Sequence, residues 1–196
     1  CFIGKVRLPD FLQQQLKPKE GQIIEIPESF ESYLINQPRF KTFQEELAFR
    51  ATKTKYVCSD GTVVGSHQGA HYFTKGQRKG LGVGGTSEPL FVIDTDVVDN
   101  IIYTGQGKNH PGLYRSVLLI QSSEVHWVRP DLKIDLGESL KVMARIRYRQ
   151  KLEAASLYSN SDGIYVVFDS PQSAITEGQF VAWYLEDELV GSGVMS

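Results

Sequence analysis

The C-terminal two thirds of the sequence are dominated by short apolar runs separated by Gly, Pro, Asn and Asp, and this spacing constrains the fold more than any other feature. Such runs at short, regular intervals are typical of strands in a barrel or sandwich. They occupy residues 90–95, 101–105, 117–121, 125–128, 140–148, 164–168, 180–185 and 189–194. Ser161-Asp162-Gly163 and Glu186-Asp187 indicate hairpin turns. The pattern predicts a mainly β protein.

The first 58 residues have a mixed pattern. Apolar residues with helical spacing predict a short helix at 8–16, and residues 22–26 predict a strand. Residues 27–58 carry aromatic residues among charges, which predicts a helical or irregular segment. Gly and Pro residues interrupt the strand pattern at 107–116. We therefore expect two domains, a small β-rich domain with a short helix at 1–107 and an antiparallel β-barrel at 108–196.

The charge pattern indicates a polyanionic partner. The formal net charge is only -2, so any affinity for nucleic acid must come from local clusters of cations. No acidic residue occurs between Asp60 and Glu88 or between Glu138 and Glu153. These two windows hold eight of the 21 Lys and Arg residues, namely Lys75, Arg78, Lys79, Lys141, Arg145, Arg147, Arg149 and Lys151.

The first window contains a glycine-rich basic loop, residues 67–85. Glycine permits positive φ and close approach of a ligand, so six glycines in this stretch predict a loop shaped for contact. Arg78 and Lys79 can bond phosphate, and Gln77 offers a donor and an acceptor to a sugar or base edge. A basic turn without a ligand is the alternative.

In the second window, cationic and apolar residues alternate with the period of two that is typical of a strand. Lys141, Arg145, Arg147, Arg149 and Lys151 are expected on one face, and Val142, Ala144, Ile146 and Tyr148 on the other. Five cations on one face repel one another, which favours a polyanion over a merely solvated surface. Two roles remain open for Tyr148, stacking on a base or packing in the core. Trp127 and Trp183 are expected in the core.

The cysteines and histidines predict no metal site. Cys1, Cys58 and the four histidines lack metal-ligand spacing, and there is no Cys-x-x-Cys pair. Two cysteines and no apolar run of membrane-spanning length predict a cytoplasmic protein without a membrane partner. Because the chain starts on Cys rather than Met, we expect it to be a fragment of a longer protein.

An ordered set of motifs resembles the central and C-terminal parts of the tRNA-specific 2-thiouridylases. The motifs are Cys1-Phe2-Ile3-Gly4, residues 60–69, residues 71–74 with 76–85, Gln106-Gly107 before His110-Pro111, Arg147-Tyr148-Arg149-Gln150, and Ile175-Thr176 before Gly178-Gln179. The resemblance runs over nearly the whole chain. Residues 27–58 stand out from it as an insertion, and Glu177 replaces the proline that is usual in the family.

The resemblance implies an enzyme that installs sulfur at C2 of the wobble uridine of tRNA, with the Lys, Glu and Gln isoacceptors as substrates. ATP with magnesium acts on an N-terminal domain that this chain does not contain, so the chain alone is expected to be inactive. The match of Cys1 to the family's persulfide cysteine implies that it is catalytic. It receives sulfur from a donor protein, either a cysteine desulfurase or a sulfur relay protein.

The same resemblance implies a β-rich adaptor domain followed by a barrel like those of translation factors. The residues expected to bind tRNA are Lys75, Gln77, Arg78, Lys79, Arg145, Arg147, Tyr148, Arg149, Gln150 and Gln179. No cofactor is assigned to the chain itself. The alternative function is a non-catalytic RNA-binding β-barrel module, which a start codon next to Cys1 would favour.

Overall fold

The computed structural model describes residues 17–34 and 38–196. These residues form two compact units, the first from 17–34 and 54–113 and the second from 38–53 and 114–196. Cys1, its motif and the helix predicted at 8–16 lie outside the described residues. The predicted mainly β fold is confirmed in both units.

The first unit contains a four-stranded sheet in the order β2-β1-β4-β3. The strands are β1 (Gly21–Glu25), β2 (Thr62–His67), β3 (Leu90–Asp96) and β4 (Ile101–Gln106). Strand β1 pairs antiparallel with β2 and parallel with β4, and β3 pairs antiparallel with β4. Ile23 and Ile24 are adjacent in β1 and point to opposite faces, yet neither is exposed. Both faces of this sheet are therefore covered.

Different segments cover the two faces. Leu81 from the glycine-rich loop and Ala70 pack over Ile23. Over Ile24 lies an aromatic cluster formed by Phe30, by Tyr33 of helix α1 (Glu31–Leu34) and by Tyr56. The hydroxyls of Tyr33 and Tyr56 are 2.6 Å apart, and burial raises the pKa of Tyr56 to about 12. Both phenols thus remain neutral and hydrogen-bonded within the cluster.

A buried histidine holds the chain after β4. The backbone N–H of Gly112 donates to Nδ1 of His110 over 3.2 Å, so Nε2 carries the proton and donates to the carbonyl of Ile26 over 3.0 Å. Burial lowers the pKa of His110, which keeps the ring in this neutral form. A Cβ at Gly105 would lie 2.4 Å from the ring. The Gly-Gln-Gly-x-x-His pattern therefore describes a packing requirement.

The second unit contains a seven-stranded antiparallel sheet in the order β5-β9-β8-β7-β10-β11-β6. The strands are β5 (Tyr114–Gln121), β6 (Val125–Trp127), β7 (Ser139–Arg145), β8 (Glu153–Asn160), β9 (Gly163–Ser173), β10 (Phe180–Leu185) and β11 (Glu188–Val194). The sheet curls into a half-barrel, and the N–H of Ser196 after β11 donates to the carbonyl of Leu119 in β5 over 3.0 Å. Trp183 is fully buried in its core, and Trp127 packs against it.

Helix α2 (Phe43–Ala51) packs on the second sheet, although it precedes most of the first unit in sequence. Thr42 caps the helix by accepting from the N–H of Glu45. Leu47 and Ala51 pack against Val117 and Tyr165, so the helix covers strands β5 and β9. The expected first domain, 1–107, includes this helix, whereas the structure groups residues 38–53 with the barrel and divides the chain after Leu113.

Several strands differ from the sequence prediction, and β7 and β8 show the physical reasons. The strand predicted at 140–148 ends at Arg145, and the chain then turns, with a hydrogen bond from the N–H of Gln150 to the carbonyl of Arg147 over 3.1 Å. Strand β8 was not predicted, because its sequence Glu-Ala-Ala-Ser-Leu-Tyr-Ser-Asn contains no β-branched residue. It forms because it lies between β7 and β9, which supply partners for both edges.

The contact between Gly105 and His110 generates a stability prediction. We expect Gly105→Ala to lower the free energy of unfolding by about 1–3 kcal/mol, since the added methyl group overlaps the buried imidazole. Urea unfolding followed by far-UV circular dichroism measures the change. Gly84→Ala is the matched control, because Gly84 lies in open space and has no positive φ. Equal stability of the two variants would contradict the packing role assigned to Gly105.

Candidate nucleic-acid interface

Arg145, the last residue of β7, is held between two tyrosines. Its Nη2 donates to the hydroxyl of Tyr184 over 2.7 Å, and its guanidinium carbon lies 5.0 Å from the centroid of that ring. The ring of Tyr148 lies 5.9 Å from the same carbon, and Nη1 donates to the Tyr148 carbonyl over 3.3 Å. Contacts of a cation with ring faces add to these hydrogen bonds. The position of the Arg145 charge is thereby fixed by its own chain.

An open groove of about 610 Å³ surrounds this arginine. We call it the outer groove, and its principal side chains are Arg145, Arg147, Tyr148, Gln179, Phe180 and Tyr184. It lies on the face of the sheet opposite the core, since Val181 and Trp183, which alternate with Phe180 and Tyr184, are fully buried. The structure thus brings four of the predicted tRNA-binding residues into one groove.

Phe180 and Tyr184 were not predicted as site residues. The sequence could have indicated them, because successive side chains of a strand point to opposite faces of the sheet. If Trp183 of β10 lies in the core, Phe180 and Tyr184 must lie on the other face. Phe180 is 64% exposed, which is unusual for a phenylalanine in a strand. The alternation places both residues beside the cation at the end of β7, because Ala182 pairs with Arg145.

Tyr148 is not a core residue. The predicted strand period placed it on the same face as Ile146, which is buried, whereas Tyr148 is 86% exposed. The period breaks because β7 ends at Arg145 and the following residues form a turn. Of the two roles left open by the sequence, packing in the core is therefore wrong.

Arg147 and Gln150 hold the turn in place. Nη2 of Arg147 donates to the carbonyls of Ser173 and Ala174 over 3.0 and 2.7 Å. The amide oxygen of Gln150 accepts from the N–H of Ile146 over 3.2 Å, and its Nε2 donates to Oε1 of Gln172 over 2.5 Å. These bonds tie the turn to the end of β9, so both side chains have structural roles. Their contacts with tRNA remain predictions.

Gln179 reaches the groove from the segment before β10. Gly178 has φ 79, a conformation that suits glycine, and its N–H donates to the carbonyl of Met195 over 2.9 Å. The N–H of Met195 in turn donates to the carbonyl of Gln179 over 2.8 Å. The backbone of this segment is therefore fixed, while the Gln179 side chain is exposed beside the groove.

The glycine-rich basic loop of the first unit is anchored at several points. The N–H of Gly76 donates to the carbonyl of Val92 over 2.7 Å, and the N–H of Val92 donates to the carbonyl of Gln77 over 2.9 Å. The Gln77 side chain accepts from the N–H of Thr74 and donates to the carbonyl of Lys79. Gln77 therefore shapes the loop, and its predicted contact with a sugar or base stays a prediction.

The anchored loop displays its cations. Lys75 is half-buried, whereas Arg78 and Lys79 are exposed. Within the described ranges 17–34 and 38–196, neither Arg78 nor Lys79 has an acidic partner within 4.0 Å. Gly76, Gly80, Gly82 and Gly85 have φ between 69 and 89, which confirms that the loop uses backbone conformations favoured by glycine. This arrangement leaves two positive charges available to an anion.

The remaining predicted site residues are placed as follows. Arg149 is exposed and has no ion pair with any residue that the structure describes. Cys58 is an exposed free thiol, and Cys1 lies outside the described residues. The described part of the chain contains no cluster of three His, Cys, Asp or Glu side chains that could hold a metal ion. It also contains no helix long and apolar enough to cross a membrane.

Comparison with known proteins gives consistent matches along the chain. A family model described as the tRNA methyl transferase PRC-barrel domain matches residues 42–106, and one described as the aminomethyltransferase beta-barrel domain matches residues 118–195. Among curated relatives, the tRNA-specific 2-thiouridylase MnmA of Christiangramia forsetii is 64% identical over 196 residues, and that of Flavobacterium johnsoniae is 61% identical. The protein of the same name from Karelsulcia muelleri is 44% identical.

All three matches include the whole of this chain. The chain spans about half the length of these relatives, with 50%, 50% and 48% of their residues covered.

The hydrogen bonds of Arg147 generate a second prediction. We expect Arg147→Ala to lower the free energy of unfolding by about 1 kcal/mol, because the carbonyls of Ser173 and Ala174 lose a charged donor. Urea unfolding of the chain measures this change. Arg149→Ala serves as the control, since Arg149 is an exposed cation of the same turn without such bonds. An Arg147→Ala protein as stable as the control would contradict a structural role for Arg147.

Proposed function

This chain belongs to the family of the tRNA-specific 2-thiouridylases, and we propose that it is the tRNA-binding and persulfide-carrying part of such an enzyme. The observation that carries the proposal is 64% identity over all 196 residues to a protein with that name. Because the chain corresponds to about half of that relative, the activity proposed here is that of a longer protein.

The proposed substrate is tRNA, in particular the Lys, Glu and Gln isoacceptors. Exposed cations in both units support a polyanionic substrate, with Arg78 and Lys79 on the glycine-rich loop and Arg149 on the turn after β7. Contacts of this kind position an RNA through its phosphates without reading its sequence. Selection among tRNAs then requires contacts with bases, for which Gln179 and the aromatic residues of the outer groove are candidates.

The proposed reaction replaces the C2 oxygen of the wobble uridine with sulfur. ATP with magnesium, bound by another domain of the full-length protein, activates that oxygen as an adenylate. The outer sulfur of a persulfide on Cys1 then attacks C2, and AMP leaves. A second cysteine of the full-length protein attacks the sulfur of Cys1, which breaks the S–S bond, releases the thiouridine and leaves a disulfide that a thiol reductant opens before the next cycle. A sulfur-donor protein, either a cysteine desulfurase or a sulfur relay protein, recharges Cys1. The chain by itself binds tRNA in this proposal and does not complete the reaction.

A cysteine suits the carrier role for chemical reasons. Its thiolate is a strong nucleophile that can accept sulfane sulfur, and it is regenerated once the disulfide with the second cysteine has been reduced. The cysteine must reach both the donor protein and the activated uridine. Cys58 is also exposed, but it matches no cysteine motif of the family and receives no role in the proposal.

The exposed cations generate a prediction about salt dependence. We expect Lys79→Ala and Arg149→Ala each to flatten the slope of log K against log salt for tRNA binding by about 0.7–0.9, because each removes one phosphate contact. A salt titration by filter binding measures the slope. Lys133→Ala is the control, since this exposed lysine lies between Asp131 and Asp135 in a stretch with acidic neighbours. Unchanged slopes in both test variants would contradict phosphate contacts by Lys79 and Arg149 and indicate that tRNA binds to another surface.

The persulfide proposal is tested in the full-length protein. We expect Cys1→Ser to abolish 2-thiouridine formation while tRNA binding and adenylation persist, because serine cannot carry sulfane sulfur. The matched variant Cys58→Ser should retain most of the activity. Mass spectrometry of the modified nucleosides gives the readout. Thiolation by the Cys1→Ser protein would refute the carrier role, and loss of activity in a folded Cys58→Ser protein would transfer that role to Cys58.

A further inference from the structure

Two buried histidines of the first unit are each bonded to the glycine two residues later. In His67-Gln68-Gly69, the N–H of Gly69 donates to Nδ1 of His67 over 2.9 Å. In His110-Pro111-Gly112, the N–H of Gly112 donates to Nδ1 of His110 over 3.2 Å. The two histidines are 5% and 0% exposed. The sequence His-x-Gly thus forms the same local structure twice, and we call each copy a His-x-Gly turn.

Both turns require their glycine. Gly69 has φ 143, a conformation that residues with a side chain rarely adopt. Gly112 has no positive φ, but a Cβ there would lie 2.5 Å from the hydroxyl of Tyr33 and 2.9 Å from that of Tyr56. Each imidazole ring is therefore held against one particular backbone N–H.

The two turns stand where the chain leaves the first sheet. The first begins the glycine-rich basic loop, and the carbonyl of Gly69 accepts from the N–H of Tyr72 over 3.1 Å. The second follows β4, and the carbonyl of His110 accepts from the N–H of Leu113 over 3.0 Å. Leu113 is the last residue of the first unit. The turns therefore fix the start of the basic loop and the segment that leads into the second unit.

The bonds of both turns exist only while the rings are neutral. Nδ1 accepts a hydrogen bond when it carries no proton, whereas both nitrogens of a protonated imidazole are donors. Protonation would turn an N–H group of the ring toward the N–H of the glycine, and it would also place a charge in a buried site. A proton taken up by either histidine therefore breaks the turn that this histidine holds.

The surroundings of His67 favour the neutral ring. Burial lowers the pKa of His67, and the neighbouring ring of His71 acts in the same direction. The backbone groups of Asn100 and Gln22 oppose these effects without cancelling them. The first turn is thus closed at neutral pH.

The surroundings of His110 act on its ring in the same sense. Burial lowers the pKa of His110, and this effect exceeds the opposing effects of the Ile26 backbone and of the Glu28 and Glu25 carboxylates. The ring of Tyr33 meets the imidazole edge-on, with centroids 5.6 Å apart, and its phenol is neutral. The second turn is thus closed at neutral pH as well.

From this geometry we propose that the two His-x-Gly turns form a pH-sensitive switch, in which mild acid opens the start of the glycine-rich basic loop and the segment that leads into the second unit. The proposal does not depend on tRNA binding. A closed turn contributes its full stability above the ordinary histidine pKa of about 6.5 and loses that contribution as the pH falls, because the open turn binds a proton more readily. Opening of the first turn would free the start of the loop that carries Arg78 and Lys79.

Hydrogen exchange of single backbone amides tests the switch in the unaltered chain. Exchange rates are measured by NMR between about pH 7.5 and 5.5, and each rate is divided by the intrinsic rate at that pH to give an opening constant. We expect the opening constants of the Gly69 and Gly112 amides to rise up to about tenfold per pH unit below about 6.5. The Gly76 amide is the matched control, because it bonds the carbonyl of Val92, which does not titrate.

Two variants assign each effect to its histidine. His67→Asn keeps a side-chain oxygen that can accept from the Gly69 N–H but does not titrate in this range. We expect the pH dependence to disappear at Gly69 and to persist at Gly112, and His110→Asn should give the converse. His126→Asn, which replaces an exposed histidine of β6, should leave both dependences unchanged.

Three results would overturn the proposal. Opening constants of Gly69 and Gly112 that stay the same from neutral to mildly acidic pH would show that protonation does not open the turns. An equal rise at Gly76 would indicate that the whole unit opens instead. Imidazole ¹⁵N spectra that show a proton on Nδ1 of either buried ring at neutral pH would contradict the bond on which that turn depends.

Discussion

Hydrogen bonds from a few buried polar side chains to the main chain hold the long loops of this protein onto its sheets. Asn100 illustrates this, since its amide accepts from the N–H of Ala70 and donates to the carbonyls of Lys19 and Glu20, each over 2.9 Å. The half-buried side chain of Gln106 also accepts from the N–H of Glu88. Loops buried without such partners would leave orphaned backbone groups, each of which costs about 1–3 kcal/mol. The display of exposed cations on these loops depends on this internal scaffold.

The sequence predicts most of the strands because β-branched and aromatic runs between turn residues reflect local preferences of the backbone. It does not predict where helix α2 packs, since the contacts of Leu47 with Val117 and Tyr165 join segments that are far apart in the chain. Strand β8 is missed for a related reason, because its Ala and Ser residues carry little strand preference and its two neighbours impose the conformation. Local pattern therefore identifies elements, and tertiary contacts decide their placement.

In the candidate site, too, local sequence pattern predicts some features and tertiary contacts decide the others. The strand period of two correctly places the Arg145 side chain away from the core. It gives the wrong face for Tyr148, because β7 ends at Arg145. The end of the strand depends on side-chain hydrogen bonds, such as the one that Gln150 accepts from the N–H of Ile146. Motif resemblance groups Arg147 and Gln150 with Tyr148, and it cannot separate residues that hold a turn from residues that the turn presents. Burial and hydrogen-bond partners make that separation. The alternation of β10 places Phe180 and Tyr184 on its outer face, and only the pairing of β7 with β10 places them beside Arg145.

The tryptophan pair has a consequence for how this protein can be observed. Trp127 and Trp183 are the chain's two tryptophans, their ring centroids lie 5.5 Å apart, and both belong to the second unit. Intrinsic indole emission therefore reports the half-barrel alone and is silent about the four-stranded sheet. A transition seen by fluorescence and one seen by a backbone probe need not coincide, since two units can lose structure at different denaturant concentrations. Tryptophan fluorescence can therefore be used to follow the unfolding of the second unit separately from that of the first.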